Sequence, residues 1–231
     1  VEGDRRDEVA SMTKALGASE LISLKRISSK YPAGSEKQLL SALAGIEIGE
    51  GKTPIDAGFV VFNAETCKAV YDAFARGLPL IERVVTVDGD CIAKPKNLRV
   101  PIGTPLSHLI DCSGGLCKEP KKMICGGPMM GVAQWDPKAP VTKNTSALLV
   151  LSSYFDRESK LAPACIRCGR CVKACPMKLM PLKIVEASAK GNTERCAALG
   201  AVSCMECGLC TYVCPGGVPV AQTVARAKSA I

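Results

Sequence analysis

The chain has 231 residues, which is room for one large domain or for two to three small ones. Its formal net charge is +8, but Lys and Arg are scattered and only 4% of the residues are aromatic. This composition argues against nucleic-acid binding, which needs a basic stripe with aromatic stacking platforms. No stretch has the pattern of a signal peptide or an apolar run long enough to cross a bilayer. No Ser/His/Asp or Cys/His pattern for nucleophilic catalysis stands out either.

The N-terminal third alternates helical and strand patterns. Residues 4–16 predict a helix that stops at Gly17, and residues 20–27 alternate in part and predict a strand. A turn that begins at Lys30 leads into a further helix through Leu40.

A second apolar strand, predicted over residues 58–62 and expected to be buried on both faces, runs into Asn63, a preferred N-cap. The helix that follows has an apolar face, formed by Cys67, Val70, Tyr71 and Phe74. Alternating helices and strands are typical of an α/β domain, to which we assign residues 1–81.

The pattern changes to short strands after residue 81. Two of them, over residues 83–89 and 98–103, are expected to pair, and Thr104 is expected to cap a short helix with Pro105 in its first turn, ending at Ile110. Further strands are predicted over residues 122–125 and 147–152. We assign residues 82–155 to a β-grasp-like module, followed by a polar linker over residues 153–164.

The most informative part of the chain is a pair of cysteine runs near its C-terminus. One extends from Cys165 to Pro176 and the other from Cys204 to Pro215, and both follow C-x2-C-x2-C-x3-C-P. This is the bacterial ferredoxin spacing that binds [4Fe–4S] clusters through thiolates, and its fourth cysteine normally ligates the other cluster. The spacing therefore predicts two clusters with crosswise ligands: Cys165, Cys168, Cys171 and Cys214 for the first, and Cys204, Cys207, Cys210 and Cys175 for the second.

Two structural zinc sites are the alternative interpretation, although zinc usually takes two CxxC pairs per ion. Eight thiolates in use as ligands indicate a reducing compartment, and two clusters of charge about −2 lower the net charge from +8 to about +4. The other six cysteines have no ligand spacing and are expected to be small buried apolar residues: Cys67, Cys91, Cys112, Cys117, Cys125 and Cys196. His108 is expected to be a surface or packing residue.

The residues around the second run favour helices. Residues 181–201 predict two of them, opened by Pro181, interrupted at Gly191 and capped again by Asn192, and residues 220–230 predict a third. Compact ferredoxins connect their cluster loops with short strands, so residues 156–231 predict an α-helical ferredoxin-like domain.

Three further motifs, together with the cysteine runs, resemble the C subunit of the Rnf electron-transport complex. They extend from Lys30 to Leu39, from Pro79 to Gly89 and from Gly126 to Gly131, and the resemblance covers nearly the whole chain. That family is similar to the flavoprotein subunit of respiratory complex I. The resemblance implies part of an FMN- and NADH-binding α/β domain, an SLBB (soluble-ligand-binding β-grasp) module and a domain with two 4Fe-4S clusters.

The resemblance also implies a flavin site. Tyr31, Gly34 and Glu36 correspond to a turn near the flavin, and Asn63 and Thr66 correspond to an Asn-x-x-Thr pair that contacts the FMN phosphate at a helix N-terminus. Plain helix capping by Asn63 is the alternative. A glycine-rich flavin loop known in the family is absent from this chain: either it precedes Val1, or the protein does not hold FMN by itself.

The function implied is that of an NADH/ferredoxin oxidoreductase subunit. It would pass electrons between NAD(H), via FMN, and the two 4Fe-4S clusters to other subunits of a membrane ion-translocating complex, or to a ferredoxin-like or flavin-bearing partner. Such a subunit is cytoplasmic and peripheral on the inner face of the cell membrane. Two alternatives stay open: a soluble paralogue that delivers electrons to a corrinoid or reductase enzyme, and a cluster-only electron wire or docking scaffold without its own flavin.

Overall fold

The computed structural model describes residues 1–49, 51–152 and 164–231. The linker predicted over residues 153–164 therefore lies outside the described residues, apart from Ala164. The chain forms two compact units. The first comprises Val1–Phe62 with Pro176–Leu179, and the second comprises Asn63–Cys175 with Met180–Ile231. Within the described residues, no helix combines the length and the apolar character needed to span a membrane.

The first unit contains two helices and a short 3-10 turn. Helix α1 spans Arg6–Leu16, α2 spans Glu36–Ala44, and the 3-10 turn spans Ile55–Ala57. Helix α2 ends at Gly45, whose φ of 68° lies in the left-handed region that glycine enters without a Cβ clash. Both helices agree with the sequence prediction.

The two strands predicted in this unit are wrong. Residues 20–27 pair only through a single bridge between Glu2 and Ile27, and Leu21 is 97% exposed. Residues 58–62 form no strand, and Phe62 is 57% exposed rather than buried on both faces. A strand needs a hydrogen-bonded neighbour along its length, and among the described residues the first segment has one only at Ile27, whose N–H donates to the Val1 carbonyl at 3.0 Å and whose carbonyl accepts from the Gly3 N–H at 2.9 Å.

The second unit opens with helix α3, Ala64–Arg76. The Asn63 side-chain oxygen accepts a hydrogen bond from the Glu65 N–H at 3.0 Å, so the predicted N-cap is confirmed. The predicted apolar face is not buried, since Val70, Tyr71 and Phe74 are all exposed, Phe74 by 91%. Among the described residues, nothing covers this side of the helix, so periodicity identified a face without identifying its neighbour.

A five-stranded sheet forms the centre of the second unit. Its strands are β1 (Glu82–Asp88), β2 (Lys96–Pro101), β3 (Lys122–Cys125), β4 (Val132–Gln134) and β5 (Ala147–Leu151). The order is β2-β1-β5-β3-β4, with β1 and β5 parallel and the other neighbours antiparallel. The four predicted strands are present, whereas β4 was not predicted because three residues are too few for a periodic pattern.

Helix α4, Leu106–Cys112, covers one face of the sheet. Pro105 occupies the N-cap position, and the Thr104 hydroxyl donates to the Pro101 carbonyl at 2.8 Å instead of capping the helix, so that detail of the prediction is wrong. The core between helix and sheet consists of fully buried aliphatic side chains, among them Val85, Val87, Leu106, Leu109, Leu148 and Val150. Their alternation along β1 and β5 fixes the register of the sheet.

The C-terminal part is helical. It contains α5 (Arg170–Ala174), α6 (Pro181–Ala189), α7 (Thr193–Ala198), α8 (Leu209–Tyr212) and α9 (Val220–Ser229). The Asn192 side chain accepts from the Arg195 N–H at 2.7 Å, and Gly191 before it has a φ of 67°, as the sequence predicts for a break followed by a cap. A separate core joins α6, α7 and α9: Ile184, Ala187, Cys196, Val220, Val224 and Ala227.

Candidate metal centres

The two cysteine runs have the same local backbone. Arg167 and Glu206 occupy equivalent places in them and have φ angles of 54° and 57°, uncommon values for residues with a Cβ. The Arg167 N–H donates to Cys165 Sγ and the Glu206 N–H donates to Cys204 Sγ, both at 3.4 Å. Hydrogen bonds to sulfur favour the thiolate, the form that binds iron. The identical turn therefore presents the first ligand of each run in the same way.

A glycine follows the second cysteine of each run. Gly169 has a φ of 73° and Gly208 one of 80°, and these two glycines stand at the N-cap positions of α5 and α8. A left-handed residue at this place lets the chain turn from the cysteine loop straight into a helix. The third ligand of each run, Cys171 or Cys210, lies in the first turn of that helix.

The first run lines a cavity together with the end of the second run. Its cysteines are those that the sequence assigns to one cluster, Cys165, Cys168, Cys171 and Cys214. Apolar side chains complete the wall, among them Leu182, Val185, Val218 and Val220. Soft sulfur ligands within an apolar wall are the environment of iron–sulfur clusters.

Backbone contacts hold the ends of the two runs together. The Ala164 N–H donates to the Gly216 carbonyl at 3.3 Å, one residue before Cys165 and two after Cys214. A Cβ at Gly216 would lie 2.1 Å from the Ala164 carbonyl oxygen, so only glycine fits there. This close approach is what places Cys214 beside the first run.

The cysteines of the second group are less exposed. Cys207 is buried, and Cys204 and Cys210 pack against the helical core. Burial raises the pKa of Cys210 to about 12, with a further rise from the neighbouring thiols of Cys204, Cys207 and Cys175. Burial also raises the pKa of Cys204, opposed by the Glu206 N–H and reinforced by Cys175. Cys175 thus lies within electrostatic reach of the second run.

Burial also affects the first group. It raises the pKa of Cys171, while the N–H groups of Val172, Cys171 and Leu182 lower it. Thiols with raised pKa values stay protonated at neutral pH unless a metal displaces the proton, so iron binding would release protons from Cys171, Cys204 and Cys210.

The donor set fits clusters of several irons. Within residues 1–49, 51–152 and 164–231, no three Cys, His, Asp or Glu side chains are grouped to hold a single ion. A [4Fe–4S] cube takes one thiolate per iron, and both groups supply four cysteines in apolar surroundings. The assignment of each cysteine to a cluster stays a prediction.

Charge differs between the two groups. The Lys228 ammonium donates to the Cys204 carbonyl at 2.9 Å and pairs with Glu206 at 2.9 Å, so the second run carries a neutralised pair. At the first run, Arg167 and Arg170 are exposed. Sequence reasoning missed Lys228, because a lysine 24 residues away along the chain gives no local signal.

The predicted flavin residues fall in both units. Tyr31, Gly34 and Glu36 belong to the first, where a cis peptide precedes Pro32, whereas Asn63 and Thr66 belong to the second. The Asn63 carboxamide accepts from Glu65, as a plain cap does. Sequence reasoning missed Ser35, whose hydroxyl is buried without a hydrogen-bond partner among the described residues. A buried unpaired hydroxyl between Gly34 and Glu36 fits a site for an oxygen-rich ligand.

The remaining cysteines divide into two classes. Cys91 and Cys196 are buried, as predicted, and Cys125 is partly buried. The prediction is wrong for Cys67, Cys112 and Cys117, which are exposed. Exposed His108 has its Nε2 atom 3.5 Å from Cys112 Sγ, one helical turn along α4, a pair that the sequence analysis did not identify.

Three family models match successive parts of the chain. They are the Nuo51 FMN-binding domain over residues 1–72, the SLBB domain over residues 84–133 and the 4Fe-4S dicluster domain over residues 164–218. The predicted fold class is confirmed by these matches. The domain boundaries stay predictions.

The chain is similar to C subunits of ion-translocating oxidoreductase complexes. The chain is 42% identical over 231 residues to the C subunit of the ion-translocating oxidoreductase complex of Rhodobacter capsulatus, covering 99% of this chain and 44% of the relative. The predicted resemblance to the Rnf family is confirmed. The C subunit of the Na+-translocating ferredoxin:NAD+ oxidoreductase complex of Acetobacterium woodii is 39% identical, over 87% of this chain and 45% of the relative. The C subunit of the proton-translocating ferredoxin:NAD+ oxidoreductase complex of Clostridium ljungdahlii is 44% identical, over 78% of this chain and 39% of the relative. The chain spans less than half the length of these three relatives.

Proposed function

We propose that this chain is the electron-transfer part of the C subunit of an ion-translocating ferredoxin:NAD oxidoreductase complex. In this function two 4Fe-4S clusters, ligated crosswise as the cysteine spacing predicts, carry electrons between an NAD(H)-linked flavin and partner subunits. The observation that carries the proposal is the cavity in which Cys214 of the second run joins Cys165, Cys168 and Cys171 of the first. Crosswise ligands hold the two clusters close together, which suits stepwise transfer of single electrons.

The first cluster is the point at which electrons are exchanged with a partner. Cys165 and Cys168 are exposed, Ile166 between them is 66% exposed, and Arg167 and Arg170 stand beside them. An apolar contact surrounded by cations fits an acidic redox protein, since complementary charge speeds the encounter. A ferredoxin-like partner or an acidic subunit of the same complex has this chemistry.

The chain contributes side chains towards FMN from two places. Tyr31, the buried hydroxyl of Ser35 and Glu36 form the turn that would contact the flavin, and the N-terminus of α3 with Asn63 would face its phosphate. Bound FMN would supply the conversion between the two-electron chemistry of NAD(H) and the one-electron chemistry of the clusters.

The names of the relatives support a place for this chain in a membrane complex. We propose that the chain works on the inner face of the cell membrane, attached to the membrane subunits of its complex. Co-purification with integral membrane subunits after mild solubilisation is the expected result. Recovery as a soluble pair with a corrinoid enzyme or a reductase would instead support the soluble paralogue.

Iron and acid-labile sulfide analysis with low-temperature EPR of the dithionite-reduced protein tests the clusters. We expect about eight irons and eight sulfides per chain, with spectra that show magnetic coupling between two neighbouring clusters. Zinc in place of iron, or about four irons per chain, would overturn the assignment.

A cluster-only electron wire is the second candidate. It is favoured by the Asn63 carboxamide, which is already hydrogen-bonded to the Glu65 N–H as in an ordinary helix cap. Flavin absorbance that NADH bleaches in the full-length protein would exclude this candidate. Intact clusters without any flavin absorbance would support it.

A further inference from the structure

The loop from Gly126 to Gly131 lies between β3 and β4 and is one of the motifs through which the chain resembles its family. The sequence gives it no function beyond a tight turn. In the structure Gly126 has a φ of 102°, as such a turn requires, but the loop also reaches the second cysteine run.

Met129 at the middle of this loop lies against Gly208. A Cβ placed on Gly208 would be 2.9 Å from the Met129 carbonyl oxygen and 3.4 Å from its terminal methyl carbon. Gly208 stands between Cys207 and Cys210, so Met129 covers the backbone that wraps the second cluster. The corresponding position in the first run, Gly169, has no atom within 4 Å of such a Cβ among the described residues.

The loop is held firmly enough to keep Met129 in place. The Gly131 N–H donates to the Gly127 carbonyl at 2.7 Å, and the Gly126 N–H donates to the Ala147 carbonyl at the start of β5 at 2.8 Å. A Cβ on Gly131 would lie 2.5 Å from the Gly127 oxygen, so the two sides of the loop touch. The neighbouring Met130, by contrast, is 54% exposed.

We propose that Met129 is a positioning residue that closes the second 4Fe-4S cluster off from water and so lowers its reduction potential. Solvent exposure helps to set the potential of such clusters, because water stabilises the more negative reduced form. The negative end of the Met129 carbonyl dipole lies beside Gly208 in the second cysteine run. Negative charge near the cluster also lowers its reduction potential. This inference rests on the proposed cluster function.

The test compares Met129→Ala with Met130→Ala in otherwise intact protein, by redox titration followed by EPR. Truncating Met129 opens the cover, so at a fixed solution potential the ratio of reduced to oxidised second cluster should rise by about threefold. Met130→Ala should leave both midpoint potentials unchanged. In D2O, the deuterium modulation of the reduced-cluster EPR signal should grow only in Met129→Ala.

Gly208→Ala and Gly169→Ala form an independent pair. Both place alanine at a positive φ, so their backbone strain is matched, but only Gly208→Ala forces Met129 away. We expect Gly208→Ala to move the same midpoint potential as Met129→Ala, or to lose that cluster, while Gly169→Ala keeps both clusters. Equal effects of the two methionine variants, or of the two glycine variants, would overturn the inference. A wild-type protein without about eight irons would instead contradict the cluster function itself.

Discussion

The two cysteine runs have one backbone and two environments. Their spacings, their left-handed residues and their N–H contacts to sulfur are the same. The first run leaves Cys165 and Cys168 exposed, whereas the second buries Cys207 and packs its neighbours against helices. Repetition of a motif therefore fixes how iron is held, and the surroundings decide how each cluster meets water and partners.

Different neighbours explain the difference. The second run lies beneath the Gly126–Gly131 loop and next to Lys228 from α9, while the first run ends in an open surface with arginines. An exposed cluster exchanges electrons readily with a docking protein, and a covered one is protected from solvent. Under the proposed function, partners would therefore approach the first cluster rather than the second.

The largest expected effect is on the crosswise ligands. Cys214→Ser should remove about four irons and leave the same EPR signal as Cys165→Ser, because both cysteines serve one cluster. Cys175→Ser should match Cys204→Ser in the same way. Exposed Cys112→Ser is the control and should keep about eight irons. If Cys214→Ser instead resembles Cys204→Ser, each run holds its own cluster and the ligands are not crosswise.

Chelation should distinguish the two clusters next. Because two ligands of the first cluster are exposed, iron release to a chelator under air should be biphasic, with the first cluster lost about tenfold faster. The absorbance of the chelated iron follows both phases. The fast phase should vanish in Cys214→Ser. A single phase for wild-type protein would show that exposure of the cysteines does not control access to the iron.

Charge at matched positions should shift the potentials in opposite directions. Arg167→Gln removes a cation and should lower the reduction potential of the first cluster. Glu206→Gln removes an anion and should raise the reduction potential of the second cluster. Each shift should be on the order of tens of millivolts, because exposed charges are screened. Spectroelectrochemical titration measures both. Shifts of the same sign would mean that structural disturbance, rather than charge, dominates.

The smallest expected effect is on the stability of the β-grasp-like module, residues 82–155, whose Gly126–Gly131 loop covers the second run. Hydrogen bonds from the Ser152 side chain and N–H, and then the Lys118 ammonium, lower the pKa of Asp90 to about 2. A carboxylate with a depressed folded-state pKa contributes stability above its unfolded pKa of 3.8 and loses that contribution as the pH falls towards about 2.

Asp90→Asn should therefore lower the Tm at neutral pH, and the difference from wild type should shrink between about pH 4 and pH 2. Far-UV circular dichroism measures the Tm of both proteins at each pH. Loss of clusters in acid affects both proteins alike and therefore cancels in the difference. A difference in Tm that stays constant across this range would show that the Asp90 charge does not stabilise the module.

Sequence reasoning worked where the signal is local. Patterns of neighbouring residues predicted several elements that the structure contains: strands β1 and β5, the caps at Asn63 and Asn192, and the helices that begin at Pro181 and after Pro219. It did not work for residues 20–27 and 58–62, because an apolar pattern does not supply the strand that must pair with it.

What the sequence determined by itself is the ligand chemistry: eight cysteines at ferredoxin spacing, with glycines where the backbone must turn left-handed. Only the tertiary structure decided that Met129 lies on Gly208 while Gly169 stays open, and that Lys228 reaches Glu206. These contacts join residues far apart in the chain, and their positions depend on how sheet and helices pack. Spacing along the chain fixes which atoms can bind iron, whereas burial and charge around that iron arise only from packing.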